Sequence, residues 1–228
     1  MKRIMMIFLA AMICILPAGC ESTSENQYLF AVGEEKCTMK EANLYLVNMR
    51  DVYSNDMGTD LWSQIDTSGD ATAEEKLEDL VISRLLYIYC LDQMADTAGV
   101  TLSSDEEDLI AQAAEAYYET LTEADLSYLD VRSSEIEEYY GRFALAEKYY
   151  EQETADVVLS EAASSEEEEE QMLAAAREEA IAAQYEAFIA GVEIAVSEEL
   201  FGEDAEAAAA GVTTNQFFTV YNEYLTAE

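Results

Sequence analysis

Apolar residues recur along this chain at helical spacing, in segments set apart by polar starts. Thr38-Met39-Lys40-Glu41 has the form of a capping box, in which a Thr hydroxyl and a Glu carboxylate satisfy free amides at a helix start. It predicts a helix with Ala42, Tyr45, Leu46, Met49, Val52 and Tyr53 on one face, ending at Asn55 to Gly58. Thr72-Ala73-Glu74-Glu75 is a second such box. The helix after it is apolar nearly all round, from Leu77 through Leu91 to Met94, as a central buried helix is. Gly99 closes it as a left-handed stop. Ser103-Ser104-Asp105-Glu106 opens a third helix through Ala113, Tyr117 and Tyr118. A short helical piece spans Glu123 to Leu129, and Ser134 caps another helix to about Glu153.

The flanks read differently. Tyr28 to Val32 is a candidate short strand, followed by a turn at Gly33-Glu34-Glu35. Residues 155–171 read as an acidic linker with five consecutive glutamates, Glu166 to Glu170; a like-charge run stays solvated, although acids also favour a helix start. A weak calcium site is the alternative use of those carboxylates. A helix follows over Met172 to Ala190, then an alternating strand, Val192 to Val196. Residues 203–228 form a tail with a cap at Thr214 and an amphipathic turn or two at Phe217 to Leu225. A lone strand leaves backbone groups unpaired, so the two strands are expected to pair. The fold class is mainly α, with a small two-stranded β element built from N- and C-terminal segments. Trp62 reads as a core anchor.

The first residues point to export. Lys2 and Arg3 precede an uncharged apolar run, Ile4 to Leu16, shorter than the ~20 residues of a spanning helix. Small residues then lead to Cys20. This is the layout of a cleaved signal peptide over residues 1–19, with a polar tether over 20–27. Leu16-Pro17-Ala18-Gly19-Cys20 resembles a bacterial lipoprotein signal, with Pro17 where an aliphatic residue is usual. The resemblance implies diacylation (palmitate-type) of Cys20 and a place at the outer face of the cytoplasmic membrane. Cleavage there would leave nine basic and 49 acidic side chains, a net charge of −40. That field repels phosphate backbones, which argues against nucleic-acid partners, and it repels anionic headgroups, so membrane attachment rests on the lipid alone.

The only proline, Pro17, lies within the signal, and the remaining composition is rich in helix formers. Cys37 and Cys90 either pair or remain free; buried free thiols are the reading adopted. The chain has no histidine, which removes the commonest catalytic base and metal ligand. No cofactor motif is present, and no enzyme is expected.

The order of elements resembles the SurA/PrsA family of extracytoplasmic chaperones, whose peptide-binding domain is related to that of trigger factor. The residues that carry the likeness are Ala31-Val32-Gly33-Glu34-Glu35-Lys36 with Thr38 and Glu41, the Leu77 to Leu91 helix, Gly99 to Ser103, Glu135 to Tyr140, Val192 to Ile194 and Glu198 to Phe201. The resemblance implies a SurA-like helical domain over 28–154, completed by a returning helix and strand over 172–202. Many family members insert a parvulin-type prolyl isomerase domain in the interval that here holds only the acidic linker, and parvulin sites use histidine. A holdase without isomerase activity is therefore expected, binding unfolded or partly folded exported polypeptides. Tyr117, Tyr118, Ile136, Tyr139, Tyr140, Phe143 and Tyr150 form the candidate client-binding wall, tyrosine offering a rigid apolar body and a polar tip. The amphipathic tail is a candidate internal occupant of that cradle. A lipid-anchored interaction subunit with one folded partner is the alternative.

Overall fold

The computed structural model describes residues 28–57, 73–159, 165–197 and 212–226. The signal segment, Cys20, the tether, Trp62, the Thr72 cap and residues 198–202 lie outside the described residues. Strand β1 (Tyr28–Val32) turns at Gly33-Glu34 into β2 (Glu35–Thr38). Helices α1 (Met39–Met57), α2 (Ala73–Ala98), α3 (Ser104–Thr120), α4 (Glu123–Leu129) and α5 (Ser133–Thr154) follow. Helix α6 (Glu166–Gly191) returns to β3 (Ile194–Val196), and α7 (Phe217–Leu225) is the last element.

The sheet has three antiparallel strands in the order β2-β1-β3, not two. Gly33, at φ +59°, permits a two-residue turn that folds Glu35 onto Val32. The Glu35–Thr38 segment, read as turn and cap, is thus also an edge strand, a place where charged side chains are tolerated. The expected long-range pairing is present: Phe30, Ala31 and Val32 face Val196, Ala195 and Ile194. Backbone bonds from Gly33 N–H to Glu193 (2.8 Å) and from Ser197 N–H to Leu29 (2.9 Å) extend it at both ends.

Local signals set most helix ends. Ser103 accepts from Glu106 N–H (3.3 Å), and Glu106 accepts from Ser103 N–H (2.6 Å), closing a capping box. Thr122 and Asp125 make the same reciprocal pair at α4. At the end of α2, Gly99 adopts φ +74°; Val100 N–H reaches Ala95 C=O (3.0 Å) and Gly99 N–H reaches Asp96 C=O (3.1 Å), a Schellman closure. Helix α5 begins at Ser133 rather than after a Ser134 cap, because the Glu135 carboxylate accepts from Arg132 N–H (2.8 Å). Helix α6 begins at Glu166 rather than Met172. Ser165 accepts from Glu168 N–H (3.2 Å), and the glutamates sit at the positive end of the helix dipole. The run placed in a linker is therefore the first turns of a helix.

One apolar core joins all these elements. Helix α2 runs through it, burying Val81, Leu85, Tyr89 and Cys90, and packs mainly on α5 and α1. Ile181 and Tyr185 bring α6 into the same core. The largest correction concerns the tail. Val212, Phe217, Val220 and Tyr221 are buried, and α7 packs against α3 as a core element. Thr214 does not cap it; its hydroxyl hydrogen-bonds the Tyr117 hydroxyl (2.8 Å). No described helix is long and apolar enough to cross a membrane.

Truncating a buried aromatic to alanine costs ~3–5 kcal/mol, and each kcal/mol moves the midpoint of a domain this size by roughly 2–4 °C. Phe217→Ala should therefore lower the thermal midpoint by about 10 °C. Removing residues 212–228 should lower it further, as followed by circular dichroism. A midpoint unchanged by the deletion would mean that α7 is peripheral.

Candidate functional site

The seven residues of the candidate wall separate into two environments. Tyr117, Ile136, Tyr139 and Tyr140 are buried in the core, so they are corrected from client surface to packing. Tyr118, Phe143 and Tyr150 are half-buried. The α5 stripe was wider than one contact needs because it packs against both α2 and α3 and also meets the aromatic rings of α7. Phe217 lies 4.5 Å from the Tyr140 ring centroid and 5.3 Å from that of Tyr117. Tyr221 meets Tyr140 at 5.4 Å and Phe143, edge to face, at 4.8 Å.

Polar groups fasten the segment leading into α7. Asn48 Oδ1 accepts from Phe217 N–H (3.1 Å), while its amide donates to Leu44 C=O (2.8 Å) and the Tyr117 hydroxyl (2.9 Å). The Tyr140 hydroxyl donates to Phe217 C=O (2.7 Å). Asp125 Oδ1 accepts from Thr213 N–H (2.7 Å) and Thr214 N–H (3.3 Å). Desolvation alone would raise the Asp125 carboxyl; its bonds to Thr122, Thr213 and Thr214 outweigh it and hold the group below the usual range.

An open cleft of about 160 Å³ remains between α2, α5 and α6. Arg84, Tyr87, Ile88 and Leu91 line it from α2; Phe143, Ala146, Glu147 and Tyr150 line it from α5. Both sets repeat at i, i+3, i+4 and i+7, the spacing of one helix face. Glu178 closes the side formed by α6. Tyr87 also meets the Tyr185 ring, tilted, at 5.1 Å. Phe143 and Tyr150 are thus the two predicted client residues that reach an open surface together; Tyr118 packs at the core margin on α3.

A second constellation escaped the sequence reading. Glu41, assigned to the first capping box, turns inward instead; Thr38 still accepts Glu41 N–H (3.2 Å). The Glu41 carboxylate meets Arg142 Nη1 at 3.0 Å and accepts the Tyr89 hydroxyl. The guanidinium lies over the Tyr89 ring at 4.2 Å, with Asp92 at 3.9 Å and Glu138 at 3.4 Å. A signal was present: Arg142 stands three residues after Tyr139 and four before Ala146, on a buried face, in a chain with 11 basic residues. Nearby Cys37 is a free buried thiol, pushed up by desolvation and then by Glu41, and so unreactive. Cys90 is likewise free and buried. Among the described residues no group of three or more His, Cys, Asp or Glu is placed to hold a metal ion.

Desolvation raises the Asp92 carboxyl to about 7; Arg142 opposes this, while Asp96, Glu35 and Glu41 add to it. The folded state therefore holds a proton on Asp92 that the unfolded state releases near pH 4. The stabilising contribution of this group, complete below about pH 4, should be lost as pH rises through 7. Asp92→Asn should flatten that decline and raise the melting midpoint at pH 8 relative to the parent, as thermal melts across the range will show. Compared with known proteins, the chain matches no family model, no curated protein and no solved structure.

Proposed function

We propose that this chain is a lipid-anchored holdase. It binds unfolded or partly folded exported polypeptides at the outer face of the cytoplasmic membrane, without nucleotide hydrolysis or isomerase activity. The observation that carries the reading is the open cleft between α2, α5 and α6, where Phe143 and Tyr150 stand beside Tyr87, Ile88 and Leu91. Aromatic walls with polar tips accept many apolar side chains without demanding one sequence. Burying one large side chain contributes only ~1.5–3 kcal/mol, so each engagement is weak and reversible, as a holdase requires. The −38 charge keeps the chain soluble and disfavours self-association while apolar surface is exchanged.

Support for the address comes from the Lys2 to Cys20 segment. Two acyl chains give stable attachment where one is marginal. Support for the finer architecture, a SurA-like domain with its parvulin insert missing, comes from the order of the elements. The short interval between α5 and α6 has no room for a further domain.

Two measurements test this function. Tyr150→Ala should reduce suppression of aggregation for several unrelated unfolded proteins by severalfold and shift the unfolding midpoint little, since Tyr150 is half-buried. Retention of full suppression would exclude the cleft; capture of a single folded partner in place of unfolded chains would favour an interaction subunit. Cys20→Ser should leave the precursor uncleaved or release the protein from the membrane fraction; wild-type fractionation and mobility would exclude the lipid.

A further inference from the structure

The cleft has the dimensions of one side chain, not of a chain segment. Its volume of about 160 Å³ is close to the ~150 Å³ of a cavity that holds a single benzene. Ile88, Leu91, Phe143, Ala146 and Tyr150 supply the apolar part of its lining. The Tyr87 hydroxyl, on the wall, is buried without a hydrogen-bond partner. A buried unpaired hydroxyl is an unused polar position in the wall of the cleft.

The rim is charged: Arg84, Glu147 and Glu178 line it, and Arg177 and Glu178 both act on the Tyr150 hydroxyl. Glu147 already accepts the Tyr221 hydroxyl (2.8 Å), which fixes its carboxylate at the junction of α5 and α7. Glu178 is exposed. Around them lies a chain of net charge −38. A polypeptide arriving with a positive side chain next to its apolar one meets complementary charge in the surrounding field.

We infer that the cleft is an anchor pocket for one aromatic or large aliphatic side chain in an extended peptide, with Lys or Arg flanking that anchor. The inference rests on the holdase reading and names the class of segment captured. The anchor supplies most of the affinity, because it is the part of the ligand that loses most contact with water. The flanking cation supplies selection and faster encounter, because an exposed ion pair is weak and screened by salt.

The test uses the full chain and three labelled, end-blocked pentapeptides, with binding read by fluorescence anisotropy. One carries Phe between two lysines, one Phe between two aspartates, and one Ala between two lysines. At about 10 mM salt, where the screening length is ~30 Å, the Lys-flanked Phe peptide should bind at least severalfold tighter than the Asp-flanked one. At about 1 M salt, with screening at ~3 Å, that preference should nearly vanish. The preference for Phe over Ala, roughly tenfold or more by burial of one large side chain, should persist at both salts. Glu178→Gln should narrow the flank preference without changing the Phe-to-Ala ratio, and Tyr150→Ala should reduce that ratio.

Equal binding of the two Phe peptides at low salt, or a flank preference untouched by Glu178→Gln, overturns the inference. The holdase reading then stands or falls separately, on aggregation suppression. Self-association of the chain that Tyr150→Ala abolishes would make a second copy the occupant, and would overturn the inference as well.

Discussion

The fold depends on how Phe217 is held. Its ring enters a cage of Tyr45, Tyr117, Tyr140 and Phe218, and its own amide and carbonyl are bonded to Asn48 and Tyr140. Aromatic packing alone tolerates sliding; a helix start pinned by two backbone hydrogen bonds does not. Asn48 is buried, and its amide is used on both sides: Leu44 and Tyr117 accept from its nitrogen and Phe217 donates to its oxygen. A satisfied buried network of this kind specifies one arrangement, whereas a partly satisfied one would be costly. The tail therefore completes the core and does not occupy a binding site from outside.

A second constraint is charge. With 49 acidic and 11 basic residues, the chain repels itself. Three of its cations stand where two elements meet. Arg142 brings Glu41 of α1 and Asp92 of α2 to α5. Lys148 of α5 holds the Glu106 carboxylate that also closes the α3 cap, at 2.7 Å. Desolvation raises the Glu106 carboxyl, but Lys148 and Ser103 outweigh it and bring it to about 2. Lys40 of α1 donates to Asp130 C=O (2.8 Å), at the left-handed end of α4. The Arg142 site is costly to desolvate, and removing one partner would leave a buried charge unmatched. It fixes α1, α2 and α5 relative to one another.

These two constraints divide the labour of α5. One side carries Tyr140 to α7, another carries Arg142 to α1 and α2, and a third leaves Tyr150 to solvent, with Phe143 bridging the α7 contact and the cleft. A wall rigidly supported on two sides can present an apolar surface on the third without collapsing onto it. In the holdase proposal, that support is what keeps a weak binding surface open.

Much of this architecture was legible in the sequence because its causes are local. Thr38, Ser103 and Gly99 act within four residues of themselves, through caps and a left-handed stop, and the α2 periodicity shows a buried helix. The pairing of Tyr28 to Val32 with the segment near Val196 followed from the unpaired backbone of a lone strand. Other features depend on what arrives from a distance. Whether Glu41 caps or turns inward turned on Arg142, 101 residues away, whereas Glu166 to Glu170 join a helix through a local cap, Ser165, that the like-charge run obscured. Periodicity marked Ile136, Tyr139, Tyr140, Phe143 and Tyr150 as one face of α5, but it reports that a face is apolar and not what buries it. Only the tertiary structure placed α7 over Tyr117 and Tyr140 and left Phe143 and Tyr150 beside an open cleft, because that choice is made by a segment that begins 77 residues beyond Tyr140.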